Sequence, residues 1–169
     1  WDEGSCPVVN ASGDIAINMN VPTLPLQPFE PKPARNEFES ELGPEWFWVR
    51  NPDMSRYEVA DGRLRIFGTA AGTDETQVSP SFVCSRQTEH NFTAETCLKL
   101  GNAGSADKAG MSIYMDSYAH YDICIAKKGG RSVIQTTYRL GALTHTDEIP
   151  FSGNKVWFRL TGDPMQYKL

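Results

Sequence analysis

The chain has 169 residues, of which 40% are hydrophobic and 22% charged, with four Trp, six Tyr and eight Phe. This composition excludes a disordered tail, and no apolar run approaches the roughly 18 residues that a membrane helix needs. The net charge of -5 and the pI near 5.2, without a cluster of Lys and Arg, argue against nucleic acid or anionic lipid as the main partner. A neutral ligand fits this charge better.

The first part of the chain predicts no domain of its own. Residues 1–20 contain only two short apolar runs, Val8-Val9 and Ile15-Ala16-Ile17. Residues 21–35 hold five of the eleven prolines, which fix φ and remove backbone donors, so we expect an extended linker close to polyproline II. The Pro-x-x-Pro spacing from Pro22 to Pro31 also suits a ligand of a proline-reading domain, and this alternative stays open.

From Asn36 onward, short β-rich runs alternate with turn signals at intervals of about 8–12 residues, which is typical of a sandwich. Turn residues such as Asp61-Gly62 and Gly129-Gly130 separate the runs, and no window of ten residues shows a helical period. The predicted strands are Trp46 to Val49, Arg56 to Ala60, Arg63 to Phe67, Gln77 to Cys84, Asn91 to Leu100, Ala109 to Asp116, Ala119 to Lys127, Ser132 to Leu140 and Lys155 to Leu160.

This pattern predicts an all-β fold of two packed antiparallel sheets, a β-sandwich, over residues 36–169. Within Asn91 to Leu100 the apolar residues recur at every second position, which indicates a half-buried strand. The last run, Met165 to Leu169, alternates like a strand but has no partner, so we expect the fold to be incomplete at the C-terminus.

Few residues suggest catalysis or metal binding. The acid pairs Asp74-Glu75 and Asp147-Glu148 both stand next to predicted turns, where solvated charge is the ordinary interpretation, and no Glu-x-Asp-x-x-Glu pattern occurs. None of the three histidines has triad spacing. We therefore predict no catalytic residue and no metal site in this sequence.

The four cysteines form no C-x-x-C pair, so they predict no zinc site. On the strand alternation, Cys97 shares a face with Glu95, and Cys124 shares one with Asp122. A cross-strand bridge between Cys97 and Cys124 and a set of free thiols both remain open.

Two groups of residues are candidates for ligand binding or for a contact between domains. Trp46 and Trp48 share one face of an extended run, and their indoles could stack on a sugar ring or fill the core. Arg86, Gln87 and His90 stand between two predicted strands, where they offer hydrogen-bond donors to sugar hydroxyls or to the carboxylates of a partner.

The order of several motifs resembles the C-terminal region of glycoside hydrolase family 43 β-xylosidases and α-L-arabinofuranosidases, nearly end to end. The motifs are Pro7-Val8-Val9-Asn10, the Pro-rich linker, Asn36-Glu37-Phe38, Leu42-Gly43-Pro44-Glu45-Trp46, Arg50-Asn51-Pro52, Gly62-Arg63-Leu64-Arg65-Ile66, the stretch from Ser85 to Thr96, and Ala109-Gly110-Met111-Ser112-Ile113-Tyr114.

The resemblance implies a division of labour. In such enzymes a five-bladed β-propeller carries the three catalytic carboxylates, and a concanavalin-A-like β-sandwich (a jelly roll) follows it. Residues 1–20 would be the end of the propeller, 21–35 the linker and 36–169 the sandwich, with Arg86, Gln87 and His90 matching the Arg-Gln-x-x-His stretch of the family. The propeller is absent from this sequence, so no catalytic residue can be carried over.

The resemblance therefore implies a non-catalytic sandwich that supports the propeller of an exo-acting enzyme of plant hemicellulose and shapes its pocket. The alternatives are an independent carbohydrate-binding module that uses Trp46 and Trp48, and a free-standing sandwich glycanase. Expected partners are the propeller of the same protein and plant oligosaccharides, without nucleic acid or membrane. We expect no cofactor, although such sandwiches sometimes hold a structural calcium, and a secreted or periplasmic location, with the cytoplasm as the alternative.

Overall fold

The computed structural model describes Gly4, Pro25, Pro28 and residues 35–169. The chain divides into two compact units, Trp1–Asn36 and Glu37–Leu169. The apolar runs at Val8 and Ile15, and nearly all of the predicted linker, lie outside the described residues, so the domain assignments for 1–20 and 21–35 stay predictions. Within the described residues, no helix is both long and apolar enough to cross a membrane.

The second unit is built from antiparallel strands. Their bounds are β1 Trp46–Trp48, β2 Tyr57–Ala60, β3 Arg63–Ile66, β4 Val83–Ser85, β5 Phe92–Lys99, β6 Lys108–Asp116, β7 Ala119–Lys128, β8 Arg131–Leu140, β9 Leu143–Phe151, β10 Lys155–Gly162 and β11 Tyr167–Lys168, with a 3-10 turn at Met54–Arg56. The four-stranded sheet has the order β6-β7-β8-β9, and the three-stranded sheet has the order β11-β10-β5. Two further pairs, β1-β4 and β2-β3, complete the strand set.

The core lies between the four-stranded and three-stranded sheets. Ile125 of β7 is fully buried, and Phe158 and Leu160 of β10 are each 3% exposed. The β6 strand contacts both β5 and β10, and the rings of Tyr121 and Tyr167 lie 6.1 Å apart across the two sheets. The predicted all-β sandwich of two antiparallel sheets is confirmed.

The predicted turns adopt the backbone that their residues favour. Asp61 and Gly62 have φ of 55° and 66° between β2 and β3, and Gly129 and Gly130 have φ of 55° and 80° between β7 and β8. Glycine reaches this left-handed region at little cost, and Asp tolerates it better than most residues. These turns set the strand register on each side.

The structure corrects three of the strand predictions. The run from Met165 to Leu169, which was expected to have no partner, contains β11, whose Tyr167 and Lys168 pair with β10. The run from Gln77 to Cys84 is a strand only at Val83–Ser85, because Pro80 has no backbone N–H to donate to a ladder. The β9 strand, Leu143–Phe151, was not predicted, since its sequence is polar and contains Pro150. That proline is tolerated because β9 is the edge of its sheet.

The β9 strand also changes the predicted position of one acid pair. Asp147 and Glu148 lie in the middle of β9, opposite Thr136 and Gln135, and not beside a turn as the sequence analysis placed them. Their side chains point to opposite faces, as expected for adjacent residues in a strand.

The cysteines of the described part of the chain are free thiols. Cys97 is exposed on β5, whereas Cys124 is buried on β7 in the other sheet, so the alternative of a Cys97–Cys124 bridge is wrong. Burial raises the pKa of the Cys124 thiol to about 11, which keeps it protonated and unreactive near neutral pH. Cys6 lies outside the described residues.

A substitution at Gly110 of β6 tests how closely β6 packs against β7. A Cβ at this position would overlap the backbone of Ile123 and Cys124. We predict that Gly110→Ala lowers the free energy of unfolding by about 1–3 kcal/mol, because the strands must separate to admit a methyl group. Urea unfolding of the chain measures this change.

Gly101→Ala is the matched control, since no atom lies within 4 Å of a Cβ added there. Its unfolding free energy should stay within about 0.5 kcal/mol of the wild type. Equal losses in the two variants would contradict the close strand packing at Gly110.

Candidate functional site

The side of the four-stranded sheet that faces away from the core is unusually polar. We call it the polar face; on the three strands β6, β7 and β8 it carries Ser112, Tyr114, His120, Asp122, Gln135 and Arg139, which are cross-strand neighbours by register. His120, Asp122 and Gln135 are buried. Buried charge and imidazole are costly unless they are bonded, so this face requires partners from elsewhere in the chain.

Those partners come from a covering loop, residues 68–80. The hydroxyl of Thr73 donates to Asp122 Oδ2 at 2.9 Å, and Arg139 pairs with Asp74 at 3.5 Å. The rim of the site is closed by aromatic contacts, with Tyr114 stacked on His120 at 6.1 Å between ring centroids. The covering loop therefore supplies a hydrogen bond to Asp122 and an ion pair to Arg139. Ser112 Oγ, Asp122 Oδ1 and the ring nitrogens of His120 are buried without a hydrogen-bond partner among the described residues.

Arg50 connects the covering loop to the turn between β6 and β7. Its guanidinium donates to the carbonyls of Glu75 at 2.6 Å and Val78 at 3.2 Å, and to Ser117 Oγ at 3.3 Å. The Arg50 backbone has φ of 61°, a conformation that costs a non-glycine residue on the order of 1–3 kcal/mol. Three hydrogen bonds from one side chain account for the retention of this strained backbone.

His120 and Asp122 form the chemical centre of the polar face, with Nδ1 of the imidazole 3.1 Å from Asp122 Oδ2. The hydroxyl of Thr73 donates to the same carboxylate oxygen. In a catalytic triad the imidazole stands between the hydroxyl and the carboxylate and takes the hydroxyl proton. Here the carboxylate stands between Thr73 and His120, so the imidazole does not activate the hydroxyl, and the arrangement holds the loop in place.

The acids considered from sequence are also engaged in structural contacts. Hydrogen bonds from the backbone N–H groups of Gln77 and Thr76 hold the pKa of Glu75 below its usual value. Hydrogen bonds from Lys128 and Gln135 lower the pKa of Glu148 in the same way. Among the described residues, no group of three or more His, Cys, Asp or Glu could hold a metal ion; the absence of a cofactor stays a prediction.

Comparison with known proteins places this sandwich in a family. The family model described as the beta xylosidase C-terminal concanavalin A-like domain matches residues 35–169. The chain belongs to this family. The family assignment agrees with the two-sheet fold, and it confirms the resemblance drawn from the motifs.

A curated relative of this domain is the non-reducing end alpha-L-arabinofuranosidase BoGH43B of Bacteroides ovatus, 31% identical in an alignment of 162 residues that covers 92% of this chain and 30% of that protein. A solved structure described as the xyloglucan PUL GH43B of the same organism has a TM-score of 0.83 at 29% identity, and the match covers 99% of this chain and 34% of that one. The GH43 protein BlXynB of Bacillus licheniformis has the same fold, with a TM-score of 0.76 at 20% identity over 86% of this chain and 29% of that one. The chain thus spans about a third of the length of these relatives.

In this concanavalin A-like domain, Trp46 and Trp48 lie on one face of β1, as the alternation predicts, and both are half-buried. Trp46 packs on Phe38 and Trp48 on Tyr57, each with ring centroids 6.1 Å apart. Both indole N–H groups are buried and have no hydrogen-bond partner in the described part of the chain. Their role as a ligand or interface site stays a prediction.

Arg86, Gln87 and His90 are exposed in the segment between β4 and β5. The Arg86 guanidinium lies 5.0 Å from the Phe47 ring centroid, on the side of β1 opposite to Trp46 and Trp48. The Gln87 side chain donates to the Glu89 carbonyl and accepts from the Tyr167 hydroxyl at 3.3 Å. The structure therefore does not gather the five predicted residues into one site.

Sequence reasoning missed the residues of the polar face. The one signal was that His120 and Asp122 recur at period two within an otherwise apolar strand, which places them together on one face. Thr73, which bonds Asp122, stands 49 positions before it in the sequence, so no local pattern links the two residues.

Substitution of Asp122 tests the network of His120, Asp122 and Thr73. We predict that Asp122→Ala lowers the free energy of unfolding by about 2–3 kcal/mol, because His120 and Thr73 lose a buried partner. Asp122→Asn keeps an oxygen for the Thr73 hydroxyl. Its free energy of unfolding should therefore lie between those of the wild type and Asp122→Ala. Urea unfolding with far-UV circular dichroism measures all three.

The matched control is Asp74→Ala, which removes the exposed partner of Arg139 from the same loop. A solvent-exposed ion pair contributes less than about 1 kcal/mol. A loss for Asp122→Ala as small as that for Asp74→Ala would show that the buried pair does not hold the loop.

Proposed function

We propose that this chain is the non-catalytic C-terminal sandwich of a larger family 43 glycosidase, in which it supports the catalytic propeller and shapes the rim of its pocket. The observation that carries the proposal is the family match over residues 35–169, in a chain that spans about a third of its relatives. The curated relative is named a non-reducing end arabinofuranosidase. From this relative we infer that the whole protein removes terminal arabinofuranosides or xylosides from plant hemicellulose.

The state of the acids supports the non-catalytic role. A glycosidase needs one carboxyl group with a raised pKa to protonate the leaving oxygen, and a second one across a cleft. The pKa values of Glu75 and Glu148 are instead lowered by hydrogen bonds within the fold. The Asp147 carboxylate pairs with His145 at 2.9 Å.

The exposed segment with Arg86, Gln87 and His90 is the part of this domain that we assign to contact with the propeller. Arg and His donors suit carboxylates or carbonyls at the edge of a neighbouring domain, where contacts are more polar than in a core. Such an enzyme of plant polysaccharides would work outside the cytoplasm, so the proposal includes a secreted or periplasmic location.

A turnover assay of the chain by itself tests the proposal. With 4-nitrophenyl α-L-arabinofuranoside, 4-nitrophenyl β-D-xyloside and xylan as substrates, we predict no release of product above the buffer rate, because the pKa values of Glu75 and Glu148 are lowered, whereas a general acid needs a raised one. Turnover that disappears in Glu75→Gln or Glu148→Gln would contradict the proposal and favour the free-standing glycanase.

A binding assay separates the proposal from the alternative of a module that uses Trp46 and Trp48. Because both indoles are half-buried, Trp46→Ala and Trp48→Ala should each lower the unfolding free energy, by about 2 kcal/mol, and leave the binding of neutral xylo-oligosaccharides unchanged. Calorimetric titration of the folded variants measures the binding. Saturable binding by the wild type that both variants lose, while their circular dichroism is retained, would favour the module.

A further inference from the structure

The outer face of the three-stranded sheet carries an exposed tryptophan. In β10 the inward side chains Phe158 and Leu160 are buried, whereas Trp157 points away from the core and is 68% exposed. A single exposed apolar side chain is ordinary on a protein surface, so Trp157 points to a ligand only together with the charged and polar side chains that surround it on this face. We call this side of β5, β10 and β11 the outer face.

The outer face is basic, although the chain as a whole is acidic. By register it carries Lys99, Lys155, Arg159 and Lys168 together with a single acid on the strands, Glu95, a net charge of +3 in a chain of -5. Arg159 forms an ion pair with Glu95. Within the part of the chain that the structure describes, no carboxylate lies within ion-pair distance of Lys99, Lys155 or Lys168.

Two of these lysines are paired against the ordinary rule of sheets. Lys99 and Lys155 are direct cross-strand partners in the β5–β10 ladder, and like charges opposite each other destabilise a sheet. An anion bound between the two ammonium groups would remove this repulsion. Lys155 stands two residues before Trp157, so the pair lies about 7 Å along the strand from the indole.

On the other side of Trp157 the outer face leads into a polar depression. It has a volume of about 460 Å3, and its lining includes Thr93, Thr161, Gln166 and Lys168 together with one acid, Asp163. Thr161 is four residues beyond Trp157, or about 13 Å along an extended strand. Hydroxyl, amide and ammonium groups there can bond the hydroxyls of a bound chain.

We propose that the outer face binds an acidic oligosaccharide, with one sugar ring stacked on Trp157, a uronate carboxylate between Lys99 and Lys155, and the next units over Thr161 and Gln166. A sugar ring offers an apolar C–H surface to the indole, and a carboxylate satisfies the lysine pair. This proposal rests on the proposed function, because a hemicellulose-degrading enzyme meets glucuronate-bearing xylan as substrate. It assigns this domain a role in holding the polysaccharide.

Calorimetric titration of the chain tests the proposal, with a glucuronate-substituted xylo-oligosaccharide and the neutral xylo-oligosaccharide of the same length. We expect saturable binding of the acidic sugar, at least about tenfold tighter than of the neutral one, and weakening as salt rises. Trp157→Ala should abolish binding, and Trp157→Phe, which keeps an aromatic face, should retain part of it. Lys99→Gln with Lys155→Gln should reduce the affinity for the acidic sugar to that for the neutral one.

The matched control is the double variant Lys108→Gln and Arg131→Gln, which removes two exposed positive charges from the four-stranded sheet. It should bind the acidic sugar as the wild type does. An equal loss in this control, equal affinity for the two sugars, or tighter binding of single-stranded DNA than of either sugar would overturn the proposal.

The absence of sugar binding by the folded chain would also overturn it, without affecting the non-catalytic role of the domain, which the turnover assay tests separately. Because Trp157 is exposed, circular dichroism of Trp157→Ala should match that of the wild type. Sugar binding that survives in folded Trp157→Ala would place the ligand elsewhere and contradict the proposal.

Discussion

The β7 strand presents a different chemistry on each of its two sides, and the rest of the domain is arranged around that difference. Ile125 on one side is fully buried against the three-stranded sheet, and burying such a side chain contributes roughly 1.5–3 kcal/mol. Asp122 on the other side would cost a comparable amount if it were left without partners. The strand alternation that builds the core therefore also requires the covering loop, whose Thr73 bonds the Asp122 carboxylate.

This arrangement gives the His120 and Asp122 pair a structural role, which is to hold the covering loop. The His120 and Asp122 pair is enclosed by Thr73 and Tyr114, and the hydroxyl bonds the carboxylate and not the imidazole. The surface of the domain is consequently available for contacts. The exposed segment with Arg86 and Gln87 suits a neighbouring domain, and the outer face with Trp157 suits a polysaccharide.

Most of the strands could be predicted from the sequence, because the alternation of apolar and polar residues that marks a strand is a local pattern. The run from Asn91 to Leu100 alternates regularly and is found as β5, Phe92–Lys99. The β9 strand escaped prediction because an edge strand can be polar on both sides and can accept a proline such as Pro150. The family could also be recognised from the sequence, because its motifs are short contiguous stretches.

The candidate sites were much less accessible, since they depend on contacts between distant segments. Trp157 falls inside a correctly predicted strand, but alternation alone does not say which face of that strand meets the core. The exposure of Trp157 follows only from the packing of Phe158 and Leu160 against the other sheet. Conversely, Trp46 and Trp48 attracted attention by their density in the sequence, whereas the structure half-buries them against Phe38 and Tyr57.

If β7 organises the domain through both of its faces, its amides should be the best protected of their sheet in native-state hydrogen exchange. Exchange rates of individual amides, read by NMR under conditions of local opening, should rank β7 as the slowest strand of its sheet and the exposed edge strand β9 as the fastest. That order would agree with a domain that opens from its edges inward. Protection of β9 equal to that of β7, or exchange of the β7 amides as fast as that of the turn residues, would contradict the account.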